Sequence, residues 1–179
     1  MYKKKLSETD IRTKFITPAI IKAGWDVHTQ IREEVALTSG KILVRGQKHK
    51  RGAPKFADYI LYYKPNIPIA VIEAKDNSHA LGDGMQQALN YSQMHGDLPF
   101  VFSSNGDGFL FHDRTQTQGQ IETELSLDQF PSPDDLWQGY CTHHGLTEPA
   151  CSGRLCRKGS ARTLIPSISS ATSPTASPR

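Results

Sequence analysis

Two runs and the turn between them decide the fold: Phe56-Ala57-Asp58-Tyr59-Ile60-Leu61-Tyr62-Tyr63, then Lys64-Pro65-Asn66-Ile67-Pro68, then Ile69-Ala70-Val71-Ile72-Glu73-Ala74-Lys75. Both runs are rich in β-branched and aromatic residues, and the Pro/Asn segment joining them has turn chemistry, so they read as an antiparallel hairpin. Centring the turn between Pro65 and Asn66 sets Asp58 directly opposite Glu73. Opposed side chains have Cβ atoms about 4.5–5.5 Å apart, close enough for two carboxylates to share one cation. A strand alternates its faces with period two, so Glu73 and Lys75 point the same way. Pro68 lacks an N–H and threatens a bulge that would shift this register by one residue. Asp58 is expected as an unpaired carboxylate at a strand end.

Upstream, Ser7 and Asp10 form a capping-box pattern, and Ile11, Phe15, Ala19, Ile20 and Ala23 recur at helical spacing before the stop at Gly24. Pro18 should kink or restart that helix. Ile31–Leu37 and Lys41–Val44 flank Thr38-Ser39-Gly40 and predict a second hairpin, followed by a loop from Gly46 to Lys55. Downstream, a helix is expected from Gly84 to about His95, with Met85, Ala88, Leu89 and Ser92 turned inward. Phe100–Phe102 and Gly108–His112 read as strands, and Ser132 with Pro133 opens a last helix toward Tyr140. Helices interleaved among strands in the order αββββαββα indicate an α/β (α+β) domain.

The chain has 179 residues, 37% hydrophobic and 22% charged, enough for one domain with an appendage. It contains no run of about eighteen apolar residues, and Met1-Tyr2-Lys3-Lys4-Lys5 leads into a polar stretch instead of a signal-peptide core. A cytoplasmic protein with no membrane contact is the expectation. The formal net charge is +3, but Arg154, Arg157, Lys158, Arg162 and Arg179, opposed only by Glu148, place the excess in residues 141–179. Residues 1–140, read as the domain, are close to neutral, so a nucleic-acid argument must rest on a local site. Cys141, Cys151 and Cys156 all fall in the segment after 140, which turns Ser/Thr/Pro-rich and is expected to be disordered from about residue 148. An odd number of cysteines gives no disulfide framework. His143, His144, Cys151 and Cys156 lack a tight Cys-x-x-Cys pair, so zinc is a minor prospect beside unpaired thiols.

Carboxylates in strands this apolar are costly unless paired or metal-bound, whereas at the surface they would be ordinary solvated positions. Phosphodiester hydrolysis explains the grouping. Asp58 and Glu73 would hold Mg²⁺, with Mn²⁺ as a substitute ion, and the Lys75 ammonium would orient the attacking water and stabilise the transition state. Gln87 and Tyr91 stand four apart on one helical face, within reach of a phosphate. Six basic residues between Lys41 and Lys55, with no acid among them, form a candidate DNA contact, chiefly Lys48, Lys50, Arg51 and Lys55.

Asp58, Glu73-Ala74-Lys75 and Gln87-x-x-x-Tyr91 resemble the PD-(D/E)xK nuclease signature with its helical Gln-x-x-x-Tyr extension. More specifically, Ser7–Trp25, Arg51–Tyr63, Ile69–Tyr91 and Phe100–His112 resemble the N-terminal nuclease domain of the restriction (R) subunit of type I restriction–modification enzymes. The resemblance covers about residues 5–140. It implies a restriction-endonuclease-like fold, a central mixed sheet flanked by helices. It further implies Mg²⁺-dependent cleavage of double-stranded DNA, modification and specificity subunits as partners, and a first-helix acid in the site, a place held by Glu8. The family continues into an ATP-driven translocase, but this chain contains no G-x-x-x-x-G-K-[ST] phosphate loop and hence no ATP site. The Ser/Pro/Arg-rich end resembles out-of-frame translation, giving the expectation of an R subunit truncated before its motor. Two alternatives follow: a catalytically idle fragment that binds only DNA or partner subunits, and a related repair or recombination nuclease of the same fold.

Overall fold

The computed structural model describes residues 6–37, 44–45, 48–49, 55–117 and 119–146. Ser7 caps α1 (Glu8–Ile11) with the expected capping box, its hydroxyl accepting from the Asp10 N–H. The chain then widens into a π-helical turn, Arg12–Ile16, before α2 (Thr17–Lys22), which carries Pro18 in its first turn. Pro18 has no N–H for the helical ladder, and the π turn resolves this by letting the helix restart at Thr17, whose N–H reaches back to the Arg12 carbonyl. Gly24, at φ +101°, ends the arm.

Next come β1 (Ile31–Leu37), the short β2 (Val44–Arg45) and β3 (Lys48–His49), β4 (Lys55–Lys64) and β5 (Ile67–Ala74). After them follow α3 (Met85–Met94), β6 (Phe100–Ser104), β7 (Gly108–Asp113), β8 (Glu122–Ser126) and α4 (Pro133–His143). Six strands form one mixed sheet in the order β1-β4-β5-β6-β7-β8, and only β5 and β6 run parallel. Gly84 through Met94 and the preceding loop supply the crossover that parallel pairing requires.

The β4–β5 hairpin has the register anticipated from sequence: Tyr59 faces Ile72, Ile60 faces Val71 and Leu61 faces Ala70. The irregularity threatened by Pro68 falls beyond this stretch, where Tyr62 faces Pro68, so it leaves the Asp58 end undisturbed. Asn66 adopts φ +65° in the two-residue turn.

Other expectations are corrected. Ile31–Leu37 pairs with β4, and Val44–Arg45 pairs with Lys48–His49, so the second hairpin does not join β1 to Val44; residues 41–43 lie outside the described residues. Lys48–His49 and Lys55 belong to strands and not to one continuous loop. The edge strand β8 was missed because Glu122-Thr123-Glu124-Leu125-Ser126 is mostly exposed and has little β-prone character. The last helix runs on through His143, so Cys141 is a buried residue of α4, not part of a tail. Cys151, Cys156 and the segment expected to be disordered lie outside the described residues.

The sheet is covered on both faces. Ile11, Ile16, Ile20 and Trp25 pack with Tyr59, Leu61, Ile72, Phe102 and Leu136 on one side. Met85, Ala88 and Tyr91 of α3 pack with Ile60, Val71 and Val101 on the other. Glu73 has the parity of Val71, so it lies on the α3 face. Gly106, at φ +83°, lets the β6–β7 turn press against the first helix: a Cβ there would stand 2.7 Å from Ile11 Cγ2. Gly106→Ala is expected to lower stability by about 1–3 kcal/mol through strain and overlap. Urea unfolding should show a lower midpoint at unchanged slope.

Candidate active site

The site forms where β5 parts from β4. Beyond Ile72, β5 keeps pairing with β6, Glu73 facing Ser103 and Ala74 facing Ser104, while its ladder with β4 stops at Tyr59–Ile72. The Ala74 N–H left on the β4 side donates to Asp58 Oδ2 at 2.8 Å. A side-chain carboxylate thus takes the place of the missing ladder carbonyl, a charge-assisted bond worth about 1.5–3 kcal/mol. Asp58 Oδ1 lies 3.5 Å from Arg12 Nη1. Asp58 is therefore held at both oxygens, not an unpaired strand-end carboxylate.

Glu73 is buried, with 2% of its surface exposed. The N-terminus of α3 comes down directly on it, which only glycine permits at position 84: a Cβ there would lie 3.0 Å from Glu73 Cγ and 2.8 Å from Ser103 Oγ. A hydrogen-bonded chain runs outward from Glu73. Lys75 Nζ donates to Glu73 Oε1 at 2.7 Å and to Gln87 Oε1 at 3.2 Å, and Gln87 Nε2 donates to the Tyr91 hydroxyl at 2.7 Å. Tyr91 is buried, so it orients Gln87 from behind instead of reaching outward for a phosphate. The i, i+4 spacing places the pair together, and burial divides their roles.

Burial raises the Glu73 carboxyl to about 7 from an ordinary 4.5; the Asp58 charge adds to the rise and Lys75 opposes it. Burial also works against the Lys75 ammonium, but the hydrogen bond and charge of Glu73 outweigh it and hold Lys75 above its ordinary value. Glu8, in the first turn of α1, is raised by burial and then by Asp58; it lies within electrostatic reach of Asp58, Lys75, Arg12 and Asp76.

A divalent cation suits this donor set. Glu73 Oε2 is buried without a hydrogen-bond partner, next to a second carboxylate whose charge it repels. A hard cation would satisfy that oxygen and relieve the repulsion. Among the described residues no group of three or more His, Cys, Asp or Glu side chains converges as a metal cage. The chain would contribute two carboxylates and leave other positions to water or substrate oxygens, as Mg²⁺ sites commonly do.

Arg12 escaped the sequence reading. It is 7% exposed, lies over the Tyr59 ring at 5.1 Å from its centroid, and reaches Glu33 and Glu34 as well as Asp58. Burial opposes its charge, and Tyr59, Asp58 and Glu34 together outweigh that, so its pKa stands above the ordinary value. Its one legible signal is its position four residues after Glu8, on the same helical face. Of the candidate DNA contacts, Lys55 is exposed at the start of β4, Lys48 lies in the backbone of β3, and Lys50 and Arg51 lie outside the described residues.

The sequence pattern of the family described as type I restriction enzyme R protein N terminus matches residues 5–120, and the chain belongs to this family. It is 53% identical over 144 residues to the type I restriction enzyme EcoAI endonuclease subunit of Escherichia coli, covering 80% of this chain and 18% of that protein. Among solved structures, it is similar to a fragment described as an HsdR subunit of a type I restriction enzyme from Vibrio vulnificus. That match has a TM-score of 0.66 and 38% identity, over 78% of this chain and 26% of the other. The chain thus spans a minor part of the length of both relatives. No helix among the described residues is long and apolar enough to cross a membrane.

The raised Glu73 carboxyl carries a pH signature. The folded state holds its proton more tightly than the unfolded chain, so the stability gained from protonation is fully present below about 4.5 and gone above about 7. Glu73→Gln, which preserves the acceptor for Lys75, should stabilise the ion-free chain by on the order of 2–3 kcal/mol at alkaline pH. Thermal melts in EDTA across this range should show that gain shrinking toward zero as the pH falls to 4.5.

Proposed function

We propose that this chain is the nuclease portion of a type I restriction system, hydrolysing phosphodiester bonds of double-stranded DNA with Mg²⁺, and that the nuclease domain expected over residues 1–140 extends to the end of α4 at His143. The observation that carries this reading is the convergence of Asp58, Glu73 and Lys75 at the point where β5 leaves β4. Asp58 and Glu73 would hold the divalent ion. When bound, that ion neutralises phosphate charge and makes water a stronger nucleophile near neutral pH.

The chain's own groups account for the remaining roles. Lys75, fixed between Glu73 and Gln87, would orient the attacking water and donate to the phosphoryl oxygens as charge builds in the transition state. Gln87 would keep the ammonium aimed, with Tyr91 locking the amide. Glu8 would add negative charge at the mouth and favour cation uptake. DNA would be met by the basic stretch that includes Lys48, Lys50, Arg51 and Lys55. Kinship to an endonuclease subunit supports a multisubunit setting, with modification and specificity subunits as partners in the cytoplasm. The translocation step, which uses ATP, would belong to a segment beyond this chain's motifs.

A supercoiled-plasmid assay with Mn²⁺ or Mg²⁺ tests the reading. Asp58→Asn, which keeps an acceptor for the Ala74 N–H, should lower metal-dependent nicking by about 10²–10³-fold with little change in melting temperature. DNA binding without any metal-dependent nicking by the wild-type chain would favour the idle, binding-only alternative.

Lys75→Arg should still bind Mn²⁺ and DNA but lose turnover by about 10²-fold or more, because the planar guanidinium cannot occupy the ammonium's position between Glu73 and Gln87. Near-normal rates in that variant would reduce Lys75 to a structural partner of Glu73. Because the chain has no phosphate loop, its nicking should not respond to ATP.

A further inference from the structure

We propose that Arg12 is a built-in cation occupying the second-cation position of this site, so that the chain takes up one divalent ion where an all-carboxylate arrangement would take two. The inference rests on the reading of Asp58 and Glu73 as the divalent-ion ligands.

Three carboxylates from two strands converge on the Arg12 guanidinium. Nη1 lies 3.5 Å from Asp58 Oδ1 and 3.2 Å from Glu34 Oε1, and Nη2 lies 3.2 Å from Glu33 Oε2. Asp58 stands between two groups of charge, with Glu73 and Lys75 on one side and Arg12, Glu33 and Glu34 on the other. In two-metal phosphoryl-transfer sites the ions lie about 3.5–4 Å apart. A carboxylate flanked by cations on both sides fits that arrangement, and here one flanking charge is already supplied by protein.

Two further observations separate this from an ordinary structural ion pair. Arg12 Nε is buried with no hydrogen-bond partner, although both terminal nitrogens donate to carboxylates, so the placement serves the carboxylates and leaves one donor unmet. Glu34 holds φ +50°, a left-handed conformation disfavoured for a residue with a side chain. It does so in β1 between Glu33, which faces Tyr59, and Val35, which faces Ala57; that puts it alongside Asp58 in the sheet. A disfavoured backbone and an unmet donor are both retained where carboxylates gather around one fixed positive charge. Glu34 is largely exposed, so a solvated ion could enter if that charge were removed.

Calorimetric titration of the full chain with Mn²⁺ alone, after treatment with EDTA, tests the inference. Ions bound elsewhere are counted in the Asp58→Ala/Glu73→Gln double variant and subtracted. The wild-type chain and Arg12→Lys should each take one ion, Arg12→Gln two, and Arg12→Gln/Glu34→Gln one. The rise in melting temperature on adding Mn²⁺ should be larger for Arg12→Gln than for the wild type. One ion in Arg12→Gln at wild-type affinity overturns the inference and leaves the Asp58–Glu73 reading standing. No ion in the wild type overturns that reading and, with it, the inference that rests on it. If Arg12→Gln is unfolded without metal, two Mn²⁺ bound per refolded chain support the inference, and one ion, or none with the chain still unfolded, counts against it.

Discussion

A strand's backbone can serve two neighbours only while both run alongside it. Beyond Ile72, β5 stays with β6 and loses β4, and the donor left behind, the Ala74 N–H, is met by the Asp58 carboxylate at 2.8 Å. The rest of the site depends on this substitution. It fixes Asp58 beside Glu73 and leaves the other Asp58 oxygen to the first helix through Arg12. The gap between the parting strands becomes the place where chemistry can occur. An unmet donor in so apolar a surrounding would be costly, so the fold and the site are stabilised by the same bond.

Charge then sets the character of the gap. Burial and the neighbouring Asp58 push Glu73 up to about 7, while among the described residues Lys75 pairs with Glu73 and Arg12 with Asp58 to supply positive charge. Carboxylates outnumber these cations, so the site is poised to attract a divalent ion and to repel bare phosphate. That polarity suits the proposed reading, in which a divalent ion would mediate contact with DNA. It also explains why a near-neutral domain can be read as acting on nucleic acid without a broad basic face.

Much of this was legible in one dimension because it follows from short-range rules. The Pro65–Asn66 turn fixes the hairpin register, the register brings Asp58 to Glu73, period two brings Lys75 to Glu73, and a four-residue spacing brings Gln87 to Tyr91. What was misread has no such local signature. β1 pairs with β4, and Val44–Arg45 with Lys48–His49, long-range and local partners that the Thr38-Ser39-Gly40 turn signal does not distinguish. β8, nearly all exposed, gave no alternation to read. Cys141 looked like part of a polar tail until α4 was seen to bury it.

The sequence by itself determined the hairpin, its register, the carboxylate pair with its lysine, and the helix that backs them. Each depends on residues whose geometry is set by turn type or periodicity. Only the tertiary structure decided how those groups are divided: Tyr91 behind Gln87, Glu73 under Gly84, and Arg12 drawn from the first helix to Asp58, Glu33 and Glu34. These contacts join elements far apart in the chain. Burial and long-range charge, which no local pattern encodes, choose among the many partners that a helix face or a strand end could have taken.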